Sequence, residues 1–256
     1  MGIGMQPREI SVGGIWISTR SQEEFLADVA QWAHSGESRY VCFVTAHMIA
    51  FAQDDIKVRM ALSGAAIRTA DGTPVAWCAG ITKRMKVPVL DGPSLLPLLL
   101  ARAEQEHLTV GFIGGAPATL VRIVNRVKED NPNLRIGCVI SPPFRELQPE
   151  EDEEIVKAVA ETGAQMLFVG LGSVKQEKWM AKHQGRVRAV MFGVGAAFNF
   201  YAGEKRMPPK WFQHLGLTWL YRLALEPRRL WHRNYRYGTR FLVVAARQLL
   251  MRDGLD

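Results

Sequence analysis

Three short segments of the chain carry residue types that can bind or activate a phosphorylated substrate. The first is VGFIGGAP (110–117), where Gly114 and Gly115 end an apolar run and precede a helical pattern. Glycines at such a place let backbone amides approach an anion at the positive N-terminus of a helix. The segment lacks the full G-x-G-x-x-G or Walker pattern, so a simple strand-to-helix turn explains it equally well.

The second segment, VGLGSVKQEKW (169–179), again places glycines after an apolar run. Gln176 and Glu177 then fall in the first turn of a predicted helix. A glutamine in this position can hydrogen-bond a nucleobase or a sugar. The alternative is that both side chains only cap the helix.

The third segment, TADG (69–72), places Asp71 before a glycine at a predicted turn. Aspartate is common in turns for purely structural reasons. A carboxylate there could also act as a general base toward an acceptor hydroxyl. The residues alone leave both interpretations open.

Several motifs that would indicate other chemistry are absent from the sequence. It has no Asp-x-Asp, no G-x-S-x-G, and no His-x-x-x-His among its six histidines. We therefore expect no metal and no other cofactor. An enzyme that acts on a diphosphate without a metal must neutralise the leaving group with arginine, lysine and helix dipoles.

Alternating apolar and helical patterns predict an α/β fold from about residue 10 to residue 200. The predicted strands are 40–45, 110–114, 135–140, 165–169 and 189–192, and the predicted helices are 22–33, 49–62, 92–106, 117–131, 149–161 and 175–183. Nearly continuous apolar strands favour a Rossmann-like parallel sheet with helices on both faces. Ligands of such sheets bind beyond the carboxyl ends of the strands, where the three segments would lie.

The composition changes after residue 203, which predicts an α/β core at 1–203 and a basic helical appendage at 204–256. Residues 204–252 contain 11 lysines and arginines but only two acidic residues, whereas the whole chain carries a net charge of +7. The segment is also rich in tryptophan, tyrosine and leucine, including an i, i+4 stripe at Trp211, Leu215, Trp219 and Leu223. Aromatic and basic residues of this kind can bind nucleic acid. They match an interfacial membrane helix better, although the stripe could equally pack on the core.

Other features of the sequence predict a cytoplasmic protein. Cys42, Cys78 and Cys138 are far apart in largely apolar runs, which indicates reduced buried thiols. The first ten residues show no basic region followed by an apolar core, so we expect no signal peptide. No apolar run is long enough to span a membrane.

Taken together, the segments resemble the WecG/TagA/CpsF glycosyltransferases, glycosyltransferase family 26. The matching segments are TADG (69–72), DGPSLL (91–96), FIGG (112–115), GLGSVKQEKW (170–179), GVGAAFNFYAG (193–203) and PPKWFQHLGLTWLYRLALEPRRLWHRNY (208–235). The resemblance implies metal-independent, inverting transfer from a UDP-sugar to a polyprenyl-diphosphate-linked sugar in surface polysaccharide synthesis. It also implies that the appendage meets the anionic inner face of the bacterial membrane through 204–252 and completes the active site.

The resemblance also implies roles for particular residues. Asp71 corresponds to the proposed catalytic base, while Thr45 and Gln176 correspond to pocket residues. Arg222 and Arg229 correspond to appendage arginines that face the diphosphate.

Three positions depart from the family pattern. His47 stands where the family usually has asparagine, Val89 where an arginine is common, and Asn199 where aspartate is usual. These departures would change the sugar preference between UDP-glucose and UDP-N-acetylmannosamine types, or would mark a catalytically degenerate member. A nucleotide-binding oxidoreductase and a non-enzymatic nucleic-acid or membrane adaptor remain alternatives, although the acidic ribose-binding residue of the former is not evident.

Overall fold

The structure, a computed structural model, describes residues 8–209, Phe212 and 227–252, with side chains for 8–209, Phe212 and 237–250. The strands are β1 (Glu9–Val12), β2 (Ile15–Ser18), β3 (Arg39–Val44), β4 (Ile67–Ala70), β5 (Thr109–Gly114), β6 (Arg135–Ile140), β7 (Met166–Gly170) and β8 (Val190–Gly193). The helices are α1 (Gln22–Ser35), α2 (Ala46–Ala52), α3 (Ile56–Ser63), α4 (Thr73–Lys83), α5 (Gly92–Gln105), α6 (Pro117–Asp130), α7 (Pro149–Thr162), α8 (Lys175–His183), α9 (Ala197–Tyr201) and α10 (Pro227–Arg252).

Six strands form one parallel sheet in the order β4-β3-β8-β7-β5-β6, and β1 and β2 form a separate antiparallel hairpin. This confirms the predicted Rossmann-like α/β architecture. Successive residues of each central strand alternate between two apolar cores, one on each face of the sheet. The core under α1, α5, α6 and α9 contains a stack of Phe112, Phe168 and Phe192 from neighbouring strands, with ring centroids 5.5 and 5.3 Å apart.

The chain leaves β5 and β7 in opposite directions, which makes this neighbouring pair the switch point of the sheet. From β5 it passes through α6 to β6 on one side, and from β7 it passes through α8 to β8 on the other. The two helices lie in different apolar cores and so on opposite faces. Their N-termini therefore diverge above the carboxyl ends of β5 and β7 and leave a crevice, which is where ligands of open α/β sheets bind.

Before residue 85 the structure differs from the sequence-based prediction at the β1–β2 hairpin, which was not predicted, and at two further places. The predicted helix 49–62 is two helices, because the Asp55 carboxylate accepts hydrogen bonds from Lys57 N (2.9 Å) and Val58 N (3.1 Å) and begins a new helix. Strand β4 and helix α4 were not predicted. Both flank Asp71, so they are essential to the geometry of the site.

The C-terminal helix α10 packs on the α/β body along one face of its second half. Phe241 is buried, and Tyr237 lies against α2. Gln248 accepts a hydrogen bond from Gly13 N (2.8 Å) and donates to Ser11 O (2.7 Å), which ties the helix to the β1–β2 hairpin. Within the part of the chain that the structure describes, every helix is too short or too polar to cross a bilayer. Cys42, Cys78 and Cys138 are buried and unpaired, as predicted.

The ends of β5 and β7 are close enough to require glycine at Gly114. Its φ is +97°, and a Cβ atom there would stand 2.5 Å from the carbonyl carbon of Gly170. We expect Gly114→Ala to lower the free energy of unfolding by roughly 3–5 kcal/mol, because backbone atoms must shift and the conformation is strained. Urea denaturation measures the change.

The neighbouring Gly115 supplies a matched control. Its φ is also positive, at +81°, but an added Cβ would meet only side chains, the Phe198 ring at 3.4 Å and Thr119 at 4.0 Å. Gly115→Ala should cost roughly 1–2 kcal/mol, from backbone strain alone. Equal losses for the two variants would show that the approach of β5 to β7 does not constrain the sheet.

Candidate functional site

The carboxyl edge of the sheet brings most of the predicted site residues into one row. Following the strand order, the row runs from Asp71 after β4 and Thr45 after β3, past Gly193 at the end of β8, to Gly170 on β7 and Gly114 on β5. Neighbouring strands are about 4.8 Å apart, so the row spans roughly 20 Å. The site therefore has two ends and a middle, which differ in chemistry.

Asp71 and Thr45 lie side by side at the first end of the row. Asp71 N donates to Val44 O (2.9 Å), which holds the Asp71 backbone against the end of β3. Thr45 begins α2, and its hydroxyl oxygen accepts a hydrogen bond from Met48 N (3.3 Å). Val89 is bridged to Ala70 and is partly exposed, so this departure from the family pattern lies next to Asp71 in the structure.

His47 lies in the first turn of α2, beside Thr45, and contacts α10. Its ring packs edge-on against Tyr237, with centroids 4.4 Å apart, and Tyr237 also lies 5.7 Å from the Phe51 ring. This position, which departs from the family pattern, is thus part of the contact between α10 and α2. The contact was not predicted from the sequence.

Glycines line the other end of the row, at the switch point. Gly170 has no room for a side chain, because a Cβ there would stand 2.5 Å from the Phe198 ring. The loop after Gly114 is held by Ser141, whose hydroxyl donates to Gly115 O (2.8 Å). An apolar groove of about 290 Å³ lies between α6 and β6 beside this loop, and Pro117 and Ser141 line it. Backbone amides and the α6 N-terminus are accessible to an anion here.

Gln176 occupies the middle of the row and does not cap its own helix. Its side-chain Nε2 donates to Gly193 O (2.6 Å) and to Glu177 Oε1 (2.9 Å). The side chain is buried, and its oxygen Oε1 has no hydrogen-bond partner among the described residues. The structure thus decides against the capping interpretation of Gln176.

Glu177 is a carboxyl group buried beneath the middle of the row. It is 1% exposed, and burial raises its pKa from 4.5 to about 7, against the opposing effects of the Gln176 side chain and nearby backbone amides. Cys42 on β3 lies close enough that the Glu177 charge adds to the effect of burial in raising the pKa of the Cys42 thiol. The sequence did not predict this burial. The capping alternative fits Glu177, because backbone amides of Val174 and Glu177 donate hydrogen bonds to its carboxyl group.

A second buried carboxylate fixes the far end of α8. Asp152 on α7 accepts hydrogen bonds from Trp179 Nε1 (2.8 Å) and Lys182 Nζ (2.5 Å), and His183 Nε2 lies 3.1 Å from it. Burial acts to raise the pKa of Asp152, but these hydrogen bonds outweigh it and the pKa is lowered. A paired, ionised carboxylate thus holds α8 in register, and with it Gln176 and Glu177.

Asn199 is tied to other protein groups at the edge of the site. Its Nδ2 donates to Glu204 Oε2 (2.7 Å), and Glu204 Oε1 accepts from Thr119 on α6 (2.8 Å). The amide therefore joins α9 to α6 beside the glycine loop.

The appendage arginines are not placed by the structure. Arg222 lies outside the described residues, and for Arg229 only the backbone, within α10, is described. The stripe from Trp211 to Leu223 also lies outside them. The described residues bring together no group of three or more His, Cys, Asp or Glu side chains that could hold a metal ion.

The unusual pKa of Glu177 makes stability depend on pH in a definite direction. The folded state keeps the proton up to about pH 7, whereas the unfolded chain releases it near pH 4.5. The stabilisation is therefore complete below about pH 4.5 and is lost as the pH rises through 7, a change of roughly 3 kcal/mol. We expect Glu177→Gln to remove this loss. The free energy of unfolding of the variant should therefore exceed that of the unmodified protein by most at pH 8.

Chemical denaturation at pH 5 and pH 8 measures this difference. Glu150→Gln, at an exposed position on α7, is the control. It should change the free energy of unfolding only slightly, and by the same amount at both pH values. A Glu177→Gln variant with the same pH dependence as the unmodified protein would show that Glu177 ionises normally.

One comparison with known proteins bears on this geometry. Residues 10–254 of the 256-residue chain match the family described as "Glycosyl transferase WecG/TagA/CpsF family". The match includes both ends of the row, α8 and the C-terminal helix.

Proposed function

The chain belongs to the WecG/TagA/CpsF glycosyltransferase family, and we propose that it moves a sugar from a UDP-sugar to a polyprenyl-diphosphate-linked sugar. The family acts in cell-surface polysaccharide synthesis. The finer proposal is an inverting, metal-independent transfer with UDP-glucose or UDP-N-acetylmannosamine as the donor type. The observation that carries it is the row at the carboxyl edge, with a carboxylate at one end and a glycine-lined crevice at the other.

The two ends of the row suit the two partners of such a transfer. The diphosphate would bind over Gly114 and Gly115, where backbone amides and the α6 N-terminus offer positive partial charge. The uracil ring would lie in the adjoining apolar groove. The transferred sugar would then occupy the middle of the row, and the acceptor hydroxyl would approach Asp71.

In the proposed reaction Asp71 takes the proton from the acceptor hydroxyl. The acceptor oxygen forms a bond to the anomeric carbon while the bond from that carbon to the diphosphate breaks, and UDP leaves with the electron pair. Attack from the face opposite the leaving group inverts the configuration. Helix N-termini, with Arg222 and Arg229 from the C-terminal segment, would stabilise the charge that develops on UDP.

We further propose that α10 brings the protein to the cytoplasmic face of an anionic membrane. The inner face of this helix packs on the body, whereas Leu242 and Leu250 point outward and are 66% and 72% exposed. Arg247 is exposed on the same helix, and Arg240 is exposed but forms an ion pair with Asp54. Outward apolar side chains among arginines suit an interface of acyl chains and acidic headgroups.

The proposed function is tested by a screen of UDP-sugars with a short-chain polyprenyl-diphosphate-sugar acceptor, read by mass spectrometry. We expect transfer from at least one donor, and the same rate in EDTA as in its absence. Calorimetry with UDP and with NAD distinguishes a glycosyltransferase from a nucleotide-binding oxidoreductase. Binding of NAD without UDP, or activity that EDTA abolishes and magnesium restores, would contradict the proposal.

Replacement of the proposed base tests the mechanism. Asp71→Asn should lower the transfer rate by roughly 10²–10⁴-fold and leave the unfolding curve close to that of the unmodified protein. Asp130→Asn is the matched control, because Asp130 ends α6 at the opposite edge of the sheet and should not affect turnover. Full turnover by Asp71→Asn would make Asp71 a turn residue.

Two double variants separate membrane binding from catalysis. Leu242→Ser/Leu250→Ser should weaken sedimentation with anionic vesicles roughly 10-fold or more, yet keep turnover of a water-soluble acceptor. Arg222→Ala/Arg229→Ala should keep sedimentation with vesicles, because most of the positive charge remains. It should lose turnover, because both arginines are proposed to contact the diphosphate. Leu98→Ser, on the opposite face of the sheet, is the control for the leucine pair. Equal loss of both properties in both variants would contradict the division of roles.

A further inference from the structure

The Gln176 side chain has only one hydrogen-bonding group left for a ligand. Its two N–H bonds are directed to Gly193 O and Glu177 Oε1, and the oxygen Oε1 is buried without a partner among the described residues. An amide oxygen can only accept a hydrogen bond. A group that binds Gln176 must therefore be a donor, such as a hydroxyl.

The orientation of this amide is fixed by its neighbours. Rotating it by half a turn would point its oxygen at Gly193 O, a carbonyl that can only accept, and two acceptors would face each other at 2.6 Å. Glu177 Oε1 takes the second N–H bond and prevents the amide from turning toward another partner. Glu177 thus acts on the orientation of Gln176, from a position beside Gly193.

The unpartnered oxygen lies in the middle of the row. It is covered by Gly195, in the loop after β8, where an added Cβ would stand 3.2 Å away. Because Gly195 has no side chain, this residue does not fill the space beside the oxygen. Leaving a buried acceptor unpaired costs roughly 1–3 kcal/mol, which a bound donor group would recover.

We propose that Glu177 is a positioning residue that locks the Gln176 carboxamide, so that Gln176 Oε1 accepts a hydrogen bond from one hydroxyl of the transferred sugar. This inference rests on the proposed function, since it assigns the middle of the row to the sugar. Strand order supports that assignment: β8 lies two strands from β4, which precedes Asp71, and two strands from β5, which ends at Gly114. The sugar must bridge the base and the diphosphate, and so must lie near β8.

The backbone before Gln176 adds to this rigidity. Val174 adopts a φ of +65°, which is an outlier for a β-branched residue, and Gly172 has a φ of +90°. Strained backbone of this kind persists only where surrounding structure holds it, and it is common in sites that fix a side chain for binding. The loop therefore holds the backbone of Gln176 in one position relative to the sheet.

The inference predicts a sugar specificity that depends on hydrogen-bond polarity. Replacing one hydroxyl of the donor sugar by fluorine keeps its size but removes the donated hydrogen. One monodeoxyfluoro analogue should therefore lose roughly 5–30-fold in kcat/KM through the missing bond to Gln176. A site that binds only by shape would show no penalty that depends on Glu177.

The experiment compares the unmodified protein with Glu177→Met and Glu177→Gln. The donors are UDP-glucose and UDP-N-acetylmannosamine, each with its monodeoxyfluoro analogues. Glu177→Met removes the acceptor that holds Gln176, so the parent sugar should weaken by the same roughly 5–30-fold and the penalty for the one analogue should disappear. Glu177→Gln keeps an acceptor oxygen at this position and should retain the original pattern. UDP alone, measured by calorimetry, should bind all three proteins equally.

Each other outcome contradicts a definite part of the inference. An analogue pattern that survives Glu177→Met would show that Gln176 Oε1 serves a water or nothing at all. Weaker UDP binding by Glu177→Met would assign the oxygen to the nucleotide. Equal loss in Glu177→Gln and Glu177→Met would make the carboxyl itself necessary. If the unmodified protein neither binds nor uses any of the UDP-sugars, the proposed function fails, whereas normal turnover with unaffected Glu177 variants overturns only this inference.

Discussion

The close approach of β5 to β7 is the constraint on which the rest of the site depends. A Cβ at Gly114 would meet the Gly170 backbone, and a Cβ at Gly170 would meet the Phe198 ring, which lies over it on one face. Because the chain leaves these two strands in opposite directions, α6 and α8 diverge at this point. The crevice for an anion and the position of α8 are therefore consequences of one packing contact. A larger residue at either glycine would move the strand ends, and the N-terminus of α8 would move with them.

Two buried carboxyl groups contact helix α8, and they act differently. Asp152 lies at its C-terminal end and Glu177 in its first turn. At the far end, the Asp152 carboxylate is paired and hydrogen-bonded, so its charge is compensated and it anchors the helix. At the near end, Glu177 has no cationic partner among its described contacts, and burial favours its neutral form. Keeping such a group costs stability at neutral pH. Buried acids with strongly raised pKa values are common at functional sites.

The sequence predicted the parts of the fold that follow from local patterns. Apolar runs located five of the six parallel strands, and glycines were predicted to follow the strands that became β5 and β7. Strand β4 was missed because its four residues include Arg68, whose guanidinium is buried against Trp16 O and Glu9. That burial depends on the β1–β2 hairpin, which is distant in sequence. The direction of the Gln176 side chain was equally unpredictable, since its partner Gly193 arrives only when β8 joins the sheet. Asp71 and Thr45 were named through the family resemblance, and their common place at one edge follows only once β4 is seen to pair with β3.

The contact between α10 and α2 connects the outer surface of the protein with the end of the row where Thr45 lies. Tyr237 on α10 packs against His47, two residues after Thr45, while Leu242 and Leu250 on the same helix face outward. A helix of this length is rigid over a few turns. A displacement of its outer face would therefore displace α2, the helix that begins at Thr45. The buried Phe241 and the three hydrogen bonds of Gln248 oppose any independent movement of the helix. Binding of the outer face to a surface would thus act through His47 on the end of the row that holds Thr45 and Asp71. His47 is also a position where this chain departs from the pattern of its family.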